Sequence, residues 1–225
     1  MTLTGDGALN SIASDAGDES SGGGDPLGSK VKMTDIAKAF QDGKTAKSYF
    51  FTLFVKQPVY GQRHMKWFPL PSDAQNVGHT FIRLTKVNDD GSVVSQTFGY
   101  YPDGGGGDAT HPTANSSTFR DNSGHSSDES LTKNISVDQF KNILTLGHAF
   151  ESARYDLNFK NCTSFGYLAA YSAGIEVNEV WGTWPGNPGN GANPGSLGQS
   201  ILEGNIKTWK LTTNQEFPLP TTTPG

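Results

Sequence analysis

The most regular stretch of the chain alternates. VGHTFIRLTKV (77–87) sets His79, Phe81 and Arg83 on one side and Thr80, Ile82 and Leu84 on the other, the period of a half-buried strand. Asn88-Asp89-Asp90-Gly91 is a turn signal, and SVVSQTFGYYP (92–102) returns as the partner, so 77–102 reads as a β-hairpin. SYFFTLFVKQPVY (48–60) is β-branched and aromatic and reads as a strand that ends near Pro58. Helical spacing appears three times. In MTDIAKAFQDG (33–43), Thr34 caps, Ile36, Ala37 and Phe40 share a face, and Gly43 stops the helix. A second helix begins at Ser136, where Ser136 and Gln139 make a capping-box pattern ahead of Phe140, Ile143, Leu144 and Leu146. A third spans roughly 162–173 (CTSFGYLAAYSA) and ends at Gly174.

The remaining stretches lack either period. Residues 1–30 are rich in Gly, Ser and Asp and read as a flexible tail, because they bury too little to offset ordering entropy. Residues 103–130 are almost all small and polar and read as a long exposed loop. The Pro/Gly-rich segment 181–201 reads as irregular, with Trp181 and Trp184 packing it onto the body. Residues 213–225 read as an extended tail. The expected architecture is one α+β domain over 31–212, an antiparallel sheet of roughly five strands with helices packed on one side.

Composition narrows the function classes. A chain of 225 residues suits one domain. The net charge is −5 and there is no basic cluster, which disfavours a nucleic-acid reader. No apolar run approaches the ~18–20 residues of a membrane span. The N-terminus lacks the basic start and apolar stretch of a signal peptide, so export, if any, is expected by another route. The single cysteine, Cys162, rules out an intramolecular disulfide and a Cys-rich metal site. No pattern such as H-E-x-x-H is present, so neither a metal nor a cofactor is expected. Asp103 and glycines 104–107 precede no Lys-Ser/Thr and no helix, and read as a turn rather than a phosphate loop.

Two residues carry the candidate chemistry. Cys162 follows Asn161 and opens an apolar helix, where the dipole and unpaired N–H groups favour thiolate. The competing reading is a small buried core residue. His79 opens a strand 83 positions earlier, and a base on a strand facing a nucleophile at a helix start makes a workable Cys–His pair. His64, flanked by aromatics in GQRHMKWF, is a second candidate to line the cleft or act as the base. His111 and His125 fall in the polar loop and read as solvated, and His148 reads as structural. Trp67, Trp181 and Trp184 read as core packing, with glycan platforms as the alternative.

Gly78-His79-Thr80-Phe81-Ile82 and Asn161-Cys162-Thr163-Ser164-Phe165 together resemble the circularly permuted branch of the papain-like superfamily, related to NlpC/P60 peptidases. The resemblance spans about residues 48–205. It implies an NlpC/P60-like fold in which Cys162 attacks an amide carbonyl, His79 moves the proton and the start of the Cys helix stabilises the oxyanion. A third polar residue of that branch orients the imidazole. No His or Asp stands at its place here, and Gln96 is favoured over Thr97 and Tyr100. The Pro/Gly-rich segment and the flexible start are similar to type VI secretion effectors that attack the peptidoglycan of rival bacteria. The implied partners are peptidoglycan peptides, a cognate immunity protein and a component of the secretion apparatus, with action in the periplasm of the target. The rival classes are a permuted papain-like acyltransferase or lipase, and a non-enzymatic binding module with Cys162 inert.

Overall fold

The structure is a computed structural model that describes residues 2–4, 8–10, 28–63, 77–107, 111–183 and 190–209. His64, Trp67, Trp184 and the C-terminal tail 213–225 lie outside the described residues. In chain order the elements are β1 (Thr2–Thr4), β2 (Ala8–Asn10), β3 (Lys30–Val31), α1 (Met33–Ala39), β4 (Ala46–Lys56), β5 (His79–Asn88), β6 (Val93–Asp103), β7 (Ser116–Asp121) and β8 (Glu129–Ile135). They continue as α2 (Val137–Glu151), α3 (Cys162–Ser172), β9 (Ile175–Val177), β10 (Trp181–Thr183), β11 (Asn190–Ala192), α4 (Pro194–Leu202) and β12 (Ile206–Thr208). No helix among the described residues is long and apolar enough to cross a membrane.

The fold is α+β. Six strands form an antiparallel sheet in the order β8-β4-β5-β6-β7-β3. Within the segment expected as a tail, β1 and β2 pair with each other and extend the β8 edge, β1 running parallel to β8. Cross-strand partners share a face, so the register separates the two sides of the sheet. Val55↔Thr80, Leu53↔Ile82↔Phe98 and Tyr100↔Phe119 all point to the side that carries the helices. Phe165 of α3 sits among their rings, 4.9 Å from Phe119 and 5.3 Å from Phe150 of α2. The opposite face carries Phe54 stacked on Phe81 at 4.9 Å, with the Arg83 guanidinium 5.1 Å above the Phe54 ring.

The hairpin and the three expected helices form where their periodicity places them. The start of α1 differs in detail. Thr34 lies inside the helix and Lys32 is the N-cap, without a side-chain bond. The first N–H, that of Met33, donates instead to Glu151 of α2 at 2.8 Å, so tertiary structure does the work of a cap. The α2 capping box is present in both directions, Gln139 N–H to Ser136 Oγ at 3.1 Å and Ser136 N–H to Gln139 Oε1 at 2.9 Å.

Two expected irregular segments are regular. The stretch 103–130 contains β7 and the start of β8, which raises the expected five strands to six. β7 is polar except for one plug at the core, the fully buried Phe119, while the part of β8 within this stretch is only Glu129 and Ser130, its buried Leu131 and Ile135 following. A strand at or near a sheet edge that buries one large side chain shows too little alternation to announce itself. The Pro/Gly-rich stretch 181–201 contains the β10–β11 pair and most of α4. Asn193 caps α4 by accepting from Ser196 N–H at 2.8 Å, and Pro194 stands at the first helical position, where its missing N–H costs nothing.

Phe119 separates the two readings of its segment. If it is a core plug, Phe119→Ala costs about 3–5 kcal/mol in chemical denaturation. A loss under about 0.5 kcal/mol, normal for an exposed loop, contradicts the strand.

Candidate active site

The start of α3 is built from buried polar groups. Asn161 is extended and fully buried. Its Oδ1 accepts from Ser164 N–H at 2.8 Å, and Ser164 Oγ accepts from Asn161 N–H at 2.7 Å. Its Nδ2 donates to two carbonyls, Leu157 and Ala192, both at 2.7 Å. One amide therefore caps the helix and ties together the turn before it and the β10–β11 pair. Asn161, expected at the site, acts as a positioning residue. It fixes Cys162 as the first helical residue.

Thr163 then anchors the helix to the sheet through Thr80, hydroxyl to hydroxyl at 3.0 Å. Gly166 allows the approach, since a Cβ there would collide with the Thr80 methyl. Cys162 is 7% exposed. Burial pushes its thiol pKa up, while the Thr80 backbone, the hydroxyl and backbone of Thr163, and the Tyr155 hydroxyl pull it down. Burial is the largest of these effects, so the resting site favours thiol over thiolate. Tyr155 is itself buried, stacked on Tyr100 with ring centres 5.4 Å apart, and lies close enough to Cys162 for each to shift the other's pKa. Burial holds the Tyr155 pKa well above its ordinary value. The Thr163 hydroxyl lies 3.8 Å from the thiol, Thr80 and Tyr155 act on it electrostatically, and none of the three was a sequence candidate. Thr80 and Thr163 lie within the two motifs. Tyr155 carries no local signal, because only the fold brings it to the helix start.

His79 lies elsewhere. It leaves β5 on the face opposite Thr80, away from the helices. Its ring lies 4.4 Å from Tyr101, 5.2 Å from His125 and 5.8 Å from Phe81, centre to centre. Gly99 makes room for it, since a Cβ there would come 2.5 Å from His79 Nε2. The strand meets the Cys helix through Thr80, while His79 packs with Tyr101, His125 and Phe81 on the other face. The physical reason is the two-residue period of the strand: adjacent residues cannot serve one face.

Gln96 pairs with Leu84, on the helix-side face. It lies four residues along β5 from Thr80, about 13 Å at ~3.3 Å per residue. It therefore cannot orient His79. Thr97 shares the His79 face but accepts from Arg83 Nε at 2.8 Å. His125, expected to be solvated, packs against His79 and Phe81, because the turn after β7 folds over that face. His111 and His148 are exposed, His148 lying 3.8 Å from Glu151. Trp181, expected to pack on the body, is 56% exposed.

Gln62 and Arg63, the last described residues before His64, are fastened to α4. The Gln57 side-chain amide donates to Gln62 O at 3.3 Å and to Gly195 O at 3.1 Å, and Arg63 Nη1 donates to Ser200 Oγ at 2.9 Å. The start of α4 follows Ala192, the residue held by the Asn161 cap.

Comparison with known proteins returned no match: no family model, curated protein or solved structure corresponds to the chain.

Two outcomes check this geometry. Asn161→Ala removes a cap and leaves two buried carbonyls without their donor, so it costs about 2–4 kcal/mol in thermal or chemical unfolding. A neutral variant contradicts the anchoring role. Alkylation of Cys162 in the folded protein should be slow at neutral pH and rise only above the ordinary thiol range. Tyr155→Phe removes a bond that favours thiolate, so it shifts that rise to still higher pH. A shift to lower pH contradicts the assigned contact.

Proposed function

We propose that this chain is a cysteine hydrolase of the permuted NlpC/P60 type that cuts an amide bond in peptidoglycan peptides, as endopeptidase or amidase. The observation that carries the reading is Cys162 at the first position of α3, behind a fully buried Asn161 cap and against backbone and hydroxyl donors. The sulfur attacks the carbonyl carbon of the scissile amide. A thioester forms, the amine leaves with a proton, and water then releases the acyl product. The backbone N–H groups at the start of α3, that of Cys162 among them, are the donors offered to the developing oxyanion.

Because burial raises the thiol pKa, the reaction needs a base. The sequence nominates two histidines. His79 packs on the face of β5 opposite Thr80, so this reading takes the second histidine the sequence offers, His64, as the base. In this reading the protein is a secreted antibacterial effector that acts in the periplasm of target cells, with an immunity protein as its partner in the producer. The 7% exposure of Cys162 favours one competing reading, a binding module with an inert thiol.

Muropeptide analysis of purified sacculi tests this. Wild type should release new peptide fragments, Cys162→Ala and His64→Ala should release at least 100-fold less, and His79→Ala should stay within about ten-fold of wild type. Loss in His79→Ala alone, on a protein that still melts cooperatively, returns the base role to His79. Intact sacculi with wild type overturn the proposal, as do fragments from Cys162→Ala. Fatty acid released from lipid vesicles, with sacculi intact, moves the assignment to an acyl hydrolase.

A further inference from the structure

Two large aromatic side chains stand exposed on the segments that the Asn161 amide ties to the start of the Cys162 helix. Phe159, 72% exposed, lies in the turn just before Asn161. Trp181, 56% exposed, pairs across β10–β11 with Ala192, whose carbonyl accepts from Asn161. The same buried amide thus fixes both supports. The Trp181 side is set by alternation: the next residue, Gly182, faces inward, where a Cβ would come 2.7 Å from Asn193 Nδ2. The approach to Trp181 is strained. Glu179 holds φ at 57°, a conformation rare for a residue with a side chain. Its carbonyl accepts from Arg63 at 3.3 Å and from Ser200 at 3.2 Å, and its carboxylate pairs with Arg63 at 3.1 Å. Strain held in place by several partners is a mark of a functional element.

The carboxylates on these two segments are already engaged. Asp156 accepts from the N–H groups of Asn158 and Phe159, at 2.9 and 3.1 Å, and Glu179 faces Arg63. The rim therefore offers ring faces more than free negative charge. The geometry points to Trp181 and Phe159 as a subsite for an uncharged sugar ring of the glycan strand, whose apolar C–H face stacks on indole and phenyl while the attached peptide reaches the thiol. This rests on the hydrolase reading for the polymer, and it adds the part of the polymer that is gripped. Exposed aromatic faces give contact area at little ordering cost, because the rings have few rotatable bonds.

The test uses Cys162→Ala protein as background, so binding is read without cleavage. Sedimentation with purified sacculi should weaken about ten-fold on adding Trp181→Ala and less on adding Phe159→Ala. Trp181→Phe should keep most of the binding. Val93→Ala, at a 59% exposed position on the distant β5–β6 hairpin, should change nothing. A peptide-free oligosaccharide of N-acetylated sugars should compete. Equal binding by the Trp181→Ala protein, or competition by stem peptide and not by sugar, overturns the subsite. If wild type fails to cleave but binding still depends on Trp181, the hydrolase reading falls and the sugar subsite stands.

Discussion

The local structure around Cys162 depends on one side chain, the amide of Asn161. It has no exposed surface, caps α3 and bonds the carbonyls of Leu157 and Ala192. Without it the turn that carries Phe159, the strand that carries Trp181 and the first residue of the helix have no common anchor. Buried amides are costly unless every group is bonded. Here both Nδ2 hydrogens and the Oδ1 are used, so the same bonds that remove the penalty also specify the geometry. The Thr80–Thr163 hydroxyl pair then sets the helix against the sheet at the point where the thiol sits.

That arrangement creates a tension in the chemistry. Helix-start position and nearby donors favour thiolate, and burial opposes them more strongly. A site of this kind is quiet at rest, and the proposed hydrolysis needs a base and substrate to make it reactive. The two faces of β5 have different jobs. The Thr80 face seats the Cys helix, and the His79 face packs histidine and aromatic rings under the turn after β7.

Much of this was legible in the sequence, and the exceptions share a cause. The β5–β6 hairpin, the α2 capping box and the helix opening at Cys162 all have strong local signals, and each formed as expected. Strands β7 and β8 did not show, because β7 has a single plug, Phe119, and β8 opens on Glu129 and Ser130 before its two buried residues, Leu131 and Ile135. Helix α4 was hidden by its Pro and Gly residues, although Asn193-Pro194 is a good helix start. At the site, the helix-start placement of Cys162 was readable and its neighbours were not. Tyr155 arrives through tertiary packing alone. The alternation that placed His79 opposite Thr80 was visible from the start, but which of the two faces the helices would cover was not.

The central claim is that Cys162 forms a thioester with a peptidoglycan acyl group. Acid quench of wild type during turnover of soluble muropeptides, followed by mass analysis of the peptide that contains Cys162, tests it directly. The account predicts a mass increase on that peptide equal to the acyl fragment, lost on treatment with hydroxylamine. Steady release of cleaved muropeptides with Cys162 unmodified at every quench time, and undiminished in Cys162→Ala, would contradict it.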